Sequence, residues 1–423
     1  MSPASPTSPA SPASPVPPAS SARVRFHPLT FVEERDGITV GRADIESYAL
    51  LPEDGVALLR RLADGATADE AAAWYARTFG EPVDVADFLD TLRELGFVRE
   101  AGEAAAEPPK VRLQRLGRIA FSPVLWLLYA ALIAAAGVEM VRHAELRPHA
   151  HNVFFTSSLI AVQVGVALFQ SPAVLWHEWF HLLAARRLGL ASRMSLGRRF
   201  YYVVVETQLD GLRGVPPRRR YLPMLSGMLA DLLLFSALVL VAAAGLPGGL
   251  ALPGRLALAV AYTVLLRLAW QFYVFLRTDL YYVITNALGC TDPHAATRAY
   301  LRERFRRLPW VGPSDWRTGD WAPRDRAVAP WFALVTVGGV TAMLVTVSLW
   351  TAPLIWQFAR HVGSGLAGGG TGDAHFWDSV GSLLLLSLEI VVLPLYAGRK
   401  RKRAAAGTAP LTTTTASPVE ESQ

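Results

Sequence analysis

Six stretches of the chain are apolar for long enough to cross a lipid bilayer, and this constrains the fold more than any other feature. They lie near 119–140, 155–187, 221–245, 255–276, 329–355 and 376–397. A helical span needs ~20 mostly apolar residues, because hydrocarbon offers no partner to an unpaired backbone group. Composition agrees, with 52% hydrophobic and 18% charged residues, where a soluble domain carries about 25% charge. These figures argue against an ordinary cytosolic enzyme. Cys290 is the only cysteine, so no disulfide forms within the chain and a disulfide scaffold is excluded. No secretory signal is visible at the start. The second apolar stretch is longer than one span needs and contains Ser171-Pro172, where a kink or break is expected.

Charge predicts the orientation. The connection after the second stretch holds Arg193, Arg198, Arg199, Arg213 and Arg218-Arg219-Arg220. The one after the fourth is equally basic from Arg298 to Arg326, and Arg399-Lys400-Arg401-Lys402-Arg403 follows the sixth. The other three connections are poor in Lys and Arg. By the positive-inside rule the chain is expected to be a multi-pass cell-membrane protein with both termini cytoplasmic. The net charge of +6 is read as topology and contact with membrane lipid, not as nucleic-acid binding.

Five regions are expected. Residues 1–22 are a Ser/Pro/Ala-rich tail with little to bury. Residues 23–102 read as a small α+β cytosolic domain, winged-helix-like. Its strand-like pieces are Ile38–Val40 and Tyr48–Leu51. Three amphipathic helices follow, opened by Asp54, Thr67 and Val83-Asp84. Thr67 and Glu70 have the spacing of a capping box. Residues 103–118 form a linker, 119–398 a membrane domain of about six transmembrane helices, and 399–423 a basic, then disordered tail. The glycine-rich run His361–Asp373 is expected to be a flexible outer connector, because it lacks the lysine and the strand–loop–helix setting of a phosphate loop. Glu389, inside the sixth stretch, is a costly carboxylate without an assignable partner.

One constellation carries chemistry. Trp176-His177-Glu178-Trp179-Phe180-His181 holds the pattern H-E-x-x-H within an apolar helical run. Four residues make just over one turn, so both histidines project from one face and can bind one Zn²⁺. Glu178 stands beside them as the candidate general base, and the ion lowers the pKa of water to roughly 7. Ionisable groups inside a span are expensive and mark function. Zinc takes a third protein ligand and leaves one position open. Asp279, Asp231, Asp210, Asp292 and His294 are all candidates, and spacing does not choose among them. Asp231 and Arg267 fall at similar depth in the third and fourth stretches. They are expected either to form an ion pair or to place Asp231 behind a metal-bound histidine. His149 and His151 are read as solvated.

These motifs resemble a known family. His177-Glu178-Trp179-Phe180-His181 in a membrane span is similar to the site-2 protease family of intramembrane zinc metalloproteases, in particular its peptide zinc metalloprotease branch. "SGMLADLLLFSAL" and "LRTDLYYVITNALGCTDPHAATRAYL" resemble two later helices of that family. The resemblance implies Asp279 as third ligand. The chain departs from the pattern in lacking an Asn and a Pro between Gln271 and Val274, and in having Leu280 where the family has glycine. The span "LLPEDGVALLRRLADGATADEAAAWYARTFG" with "VDVADFLDTLRELGFV" resembles the PqqD-like peptide-recognition domain.

The resemblance implies a zinc metalloendopeptidase that hydrolyses a peptide or precursor near the cytoplasmic face, in peptide maturation or export, with export or modification machinery as possible partners. Two alternatives stay open: a non-catalytic membrane scaffold or export partner for a modified peptide, and a regulated intramembrane protease releasing a transcription factor.

Overall fold

The computed structural model describes residues 23–388, apart from 101, 105–110, 200–201, 247–248, 310, 320 and 369–371. The chain divides into two compact units.

The first unit comprises residues 1–112 with 189–191 and 209–221. Short strands β1 (Arg25–Phe26) and β5 (Val98–Arg99) pair antiparallel. Strands β2 (Thr30–Glu34), β3 (Gly37–Arg42) and β4 (Ser47–Leu51) form an antiparallel meander in the order β2-β3-β4. Three helices follow β4: α1 (Glu53–Ala63), α2 (Ala68–Phe79) and α3 (Val85–Glu94). Their apolar residues recur at helical spacing and meet the sheet in one core, in which Val40, Leu59, Leu62, Leu92 and Phe97 are fully buried. The capping box at α2 is present. Thr67 Oγ1 accepts from the Glu70 N–H, and Glu70 Oε2 accepts from the Thr67 N–H. Asp84 caps α3 through the N–H groups of Ala86 and Asp87.

In this unit the turn Leu212–Gly214 packs on β2 and β3, and Arg220 pairs with Glu34. Burial, reinforced by the charge of Glu46, pushes the Tyr48 hydroxyl up to about 12. The folded state therefore holds this proton more tightly than an unfolded chain, where a tyrosine titrates near 10. Stability from this group is complete below pH ~10 and is lost as the pH rises towards ~12. Tyr48→Phe should narrow the loss of thermal stability between about pH 9 and about pH 11 relative to wild type. Parallel pH-stability curves for the two proteins would refute this.

The second unit is almost wholly helical. It contains α4 (Gln114–Ala120), α5 (Pro123–Arg142), α6 (Leu159–Arg187), the hairpin β6 (Arg193–Arg199) and β7 (Tyr202–Gln208), and α7 (Pro217–Ala244), whose first turn belongs to the first unit. Then come α8 (Leu252–Trp270), α9 (Asp279–Leu288), α10 (Pro293–Arg304), α11 (Pro323–Thr346), α12 (Ala352–Gly368) and α13 (Ala374–Ser387). Among the described residues five helices are long and apolar enough to cross a membrane: α5, α6, α7, α8 and the Pro323–Leu349 stretch. The apolar windows of α7 and α8 are 44% buried, against 6%, 17% and 11% in α5, α6 and Pro323–Leu349. The core of the unit therefore lies around α7 and α8, with the C-terminal half of α6, including Phe180, Leu183 and Ala184, packed into it.

Of the kink or break expected at Pro172 there is no break, since α6 is one helix from Leu159 to Arg187. Membrane helices tolerate an interior proline at the loss of one helical hydrogen bond, here that to the Leu168 carbonyl. The glycine-rich run is not a loop throughout, since His361–Gly368 belongs to α12. Glycine is a poor helix former, but here it permits close packing. A Cβ at Gly365 would lie 2.1 Å from Ser379 Oγ on α13. The sixth apolar stretch is described only to residue 388, as α13. Its remainder, Glu389, the basic cluster 399–403 and the N-terminal tail lie outside the described residues.

Candidate metal centre

The helix α6 carries His177, Glu178 and His181, and the four-residue spacing puts both imidazoles on the buried side, 6% and 5% exposed. Asp279 is the first residue of α9, and its carboxylate meets them. His177 Nε2, His181 Nε2 and Asp279 Oδ2 are each 3.2 Å from the other two. Among the described residues this is the one group of three or more His, Cys, Asp or Glu whose ligand atoms cluster tightly enough to hold a metal ion.

The remaining ring nitrogens explain what the cluster is suited to. His177 Nδ1 lies 3.0 Å from Asp231 Oδ2, and His181 Nδ1 lies 2.7 Å from the Pro223 carbonyl oxygen. A carboxylate and a carbonyl only accept, so both Nδ1 atoms donate and carry the ring protons. In the neutral rings both Nε2 atoms are then left with lone pairs that converge on each other and on an anionic oxygen. Three electron-rich atoms at mutual 3.2 Å repel unless a cation sits among them. The separation also fits, since a tetrahedral zinc with bonds of ~2.0–2.1 Å places its ligands ~3.3 Å apart. The donor set therefore suits a divalent ion such as zinc.

The helix α7 supplies the back wall. Asp231 is fully buried, and its carboxylate serves two partners: His177, and Arg267 of α8, whose Nε donates to Oδ2 at 2.9 Å and whose Nη2 donates to Oδ1. The ion pair and the support of a histidine, posed as alternatives from sequence, thus occur together. One turn earlier α7 has Gly227, at which a Cβ would sit 2.2 Å from His181 Nε2 and 2.5 Å from His177 Nε2.

Glu178 stands beside the cluster, outside the group of three ligands. Its Oε2 accepts from the Thr207 N–H at 2.7 Å, and the Thr207 hydroxyl donates to the Glu178 backbone carbonyl at 2.9 Å. Thr207 belongs to β7, so the β6–β7 hairpin orients the Glu178 carboxylate.

The other candidates have different roles. Asp210 precedes the Gly211 turn of the first unit, where Gly211 has φ +81°. Asp292 caps α10 and pairs with Arg277. His294 Nε2 lies 3.2 Å from the Phe275 carbonyl. His149 and His151 are exposed, their rings stacked on each other. Sequence reasoning missed the contributions of Pro223 and Thr207. The hairpin had a signal in the β-branched run Val203-Val204-Val205, which the basic character of the connection obscured. Comparison with known proteins finds no family model, no curated protein and no solved structure that matches this chain.

Proposed function

We propose that the chain is a membrane-embedded zinc metalloendopeptidase that hydrolyses a bond in a peptide or precursor substrate. The observation that carries this reading is the triangle of His177, His181 and Asp279 donor atoms with Glu178 one residue along the same helix. A divalent ion bound by these three residues would act as a Lewis acid and bring the pKa of a water to about 7. The role of Glu178 is that of general base, taking a proton from water and passing it to the leaving amine. Thr207 holds Oε2 and so sets the direction in which the Glu178 carboxylate faces. Asp231 and Pro223 keep His177 and His181 in the tautomer whose Nε2 atoms are ligands. Arg267 balances the charge of Asp231, which would be costly alone among apolar helices. His177 and His181 are 6% and 5% exposed, and burial strengthens their electrostatic contacts.

In the first unit, the meander has β2 and β4 as edges, and a sheet edge can accept an extended peptide as an added strand. Tethering a substrate in this way raises its effective concentration at a site on the same chain. We read the membrane placement as multi-pass with cytoplasmic termini, which the alternation of basic connections supports.

Glu178→Gln should retain one zinc per chain and lose peptide cleavage by at least ~100-fold, the scale of a removed general base. Zinc content by elemental analysis and peptide production in cells read the two effects. Unchanged peptide production would favour a non-catalytic scaffold.

A further inference from the structure

The donor that completes the triangle is the one with the least support from its own helix. Asp279 stands at the very start of α9, beyond an eight-residue connection from the end of α8 at Trp270. That connection contains Arg277 in the left-handed region at φ +56°. The first N–H groups of a helix have no intrahelical acceptor, and a threonine before the first helical residue ordinarily caps them with its hydroxyl oxygen. Thr278 occupies that place and makes no such cap. Its hydroxyl instead donates 2.7 Å to the backbone carbonyl of Gln271. The side chain of Gln271 returns the contact, its Oε1 accepting from the Asp279 N–H at 3.0 Å. Gln271 and Thr278 are 7% and 4% exposed, so both bonds are shielded from competing water.

We propose that Gln271 is the positioning residue for Asp279: its carboxamide oxygen and backbone carbonyl clasp the Thr278-Asp279 step, so that the carboxylate is held where the two imidazoles converge. This deepens the metal-site reading and rests on it. The clasp takes over the capping function that Thr278 gives up, and it joins the end of α8 to the start of α9. Since α8 also carries Arg267, one helix then supports two members of the site. It holds Asp279 through Gln271, and it holds His177 through Arg267 and Asp231. Outer contacts of this kind set the geometry, and hence the affinity, of the ligands that they hold.

The test compares Gln271→Met, which keeps length but loses the acceptor, with Gln271→Glu, which keeps an acceptor oxygen. Zn²⁺ affinity is measured on the full-length, detergent-solubilised chain by chelator competition, and Co²⁺ is used as a spectroscopic probe of ligand geometry. Gln271→Met should bind Zn²⁺ about 10–100-fold more weakly and alter the visible Co²⁺ spectrum, whereas Gln271→Glu should stay within about 3-fold of wild type. Wild-type affinity in Gln271→Met overturns the proposal. So does equal weakening in both variants, which would mean that packing and not the acceptor matters. Should Gln271→Met fail to fold, Thr278→Val opens the same clasp from the other side, and unchanged Zn²⁺ affinity there overturns it. A wild-type chain that binds neither ion removes the metallopeptidase reading and this inference together. Tight wild-type binding with indifferent variants removes this inference alone.

Discussion

Gly227→Ala should abolish stoichiometric metal binding. A Cβ at this position would lie 2.2 Å from His181 Nε2 and 2.5 Å from His177 Nε2, the two atoms that face Asp279. Neither ring can simply step aside. Each is tied at Nδ1, His177 to Asp231 and His181 to the Pro223 carbonyl, and both acceptors lie on the same helix as Gly227. Relief therefore requires α7 to move away from α6, which would lengthen both supporting bonds. Overpacking of this kind costs about 1–3 kcal/mol in stability. The effect on metal affinity should be larger, at least ~100-fold, because the ligands and their outer contacts shift together. Gly137→Ala in α5 is the control, since a Cβ there has nothing within 4 Å. Elemental analysis of the purified proteins should show metal in wild type and Gly137→Ala, but not in Gly227→Ala. Full occupancy in Gly227→Ala would mean that the close approach of α7 does not limit the site.

Arg267→Met should be strongly destabilising. It strands the Asp231 carboxylate, fully buried and left with His177 alone. Breaking a buried pair by removing one partner costs about 3–5 kcal/mol. The double variant Asp231→Leu with Arg267→Met removes both charges, and replacing a buried pair with apolar side chains is often near neutral. Thermal stability should therefore recover in the double variant. Metal affinity should fall by about 10–100-fold in the double variant, where His177 Nδ1 loses its Asp231 acceptor. Wild-type metal affinity in the double variant would show that the pair matters only to folding. No recovery of stability would point to a packing defect unrelated to charge.

Much of this was legible in the residues, for a shared reason. The capping box at Thr67 and Glu70, the common face of His177 and His181, and the apolar runs that became α5 to α8 all depend on residues within a few turns of one another. Where a local signal failed, a distant contact had overridden it. The glycines at 363, 365 and 368 read as a flexible connector, yet 361–368 is helical, with Gly365 packed closely on Ser379 of α13. The connection 193–208 read as a basic loop, yet it folds as a hairpin whose last strand holds Glu178.

The sequence alone pointed to helices long and apolar enough to cross a membrane, with two imidazoles and a carboxylate on one turn of one of them. Helical periodicity and apolar length are properties of consecutive residues, so folding was not needed to see them. The choice of third donor was different. Asp279 lies 98 positions beyond His181; spacing left several other carboxylates level with it, only the resemblance favoured it, and packing brings it to 3.2 Å from both rings. The double duty of Asp231 and the clasp at Gln271 likewise arise between helices, where hydrogen-bond distance is set by how the helices pack and not by their order in the chain.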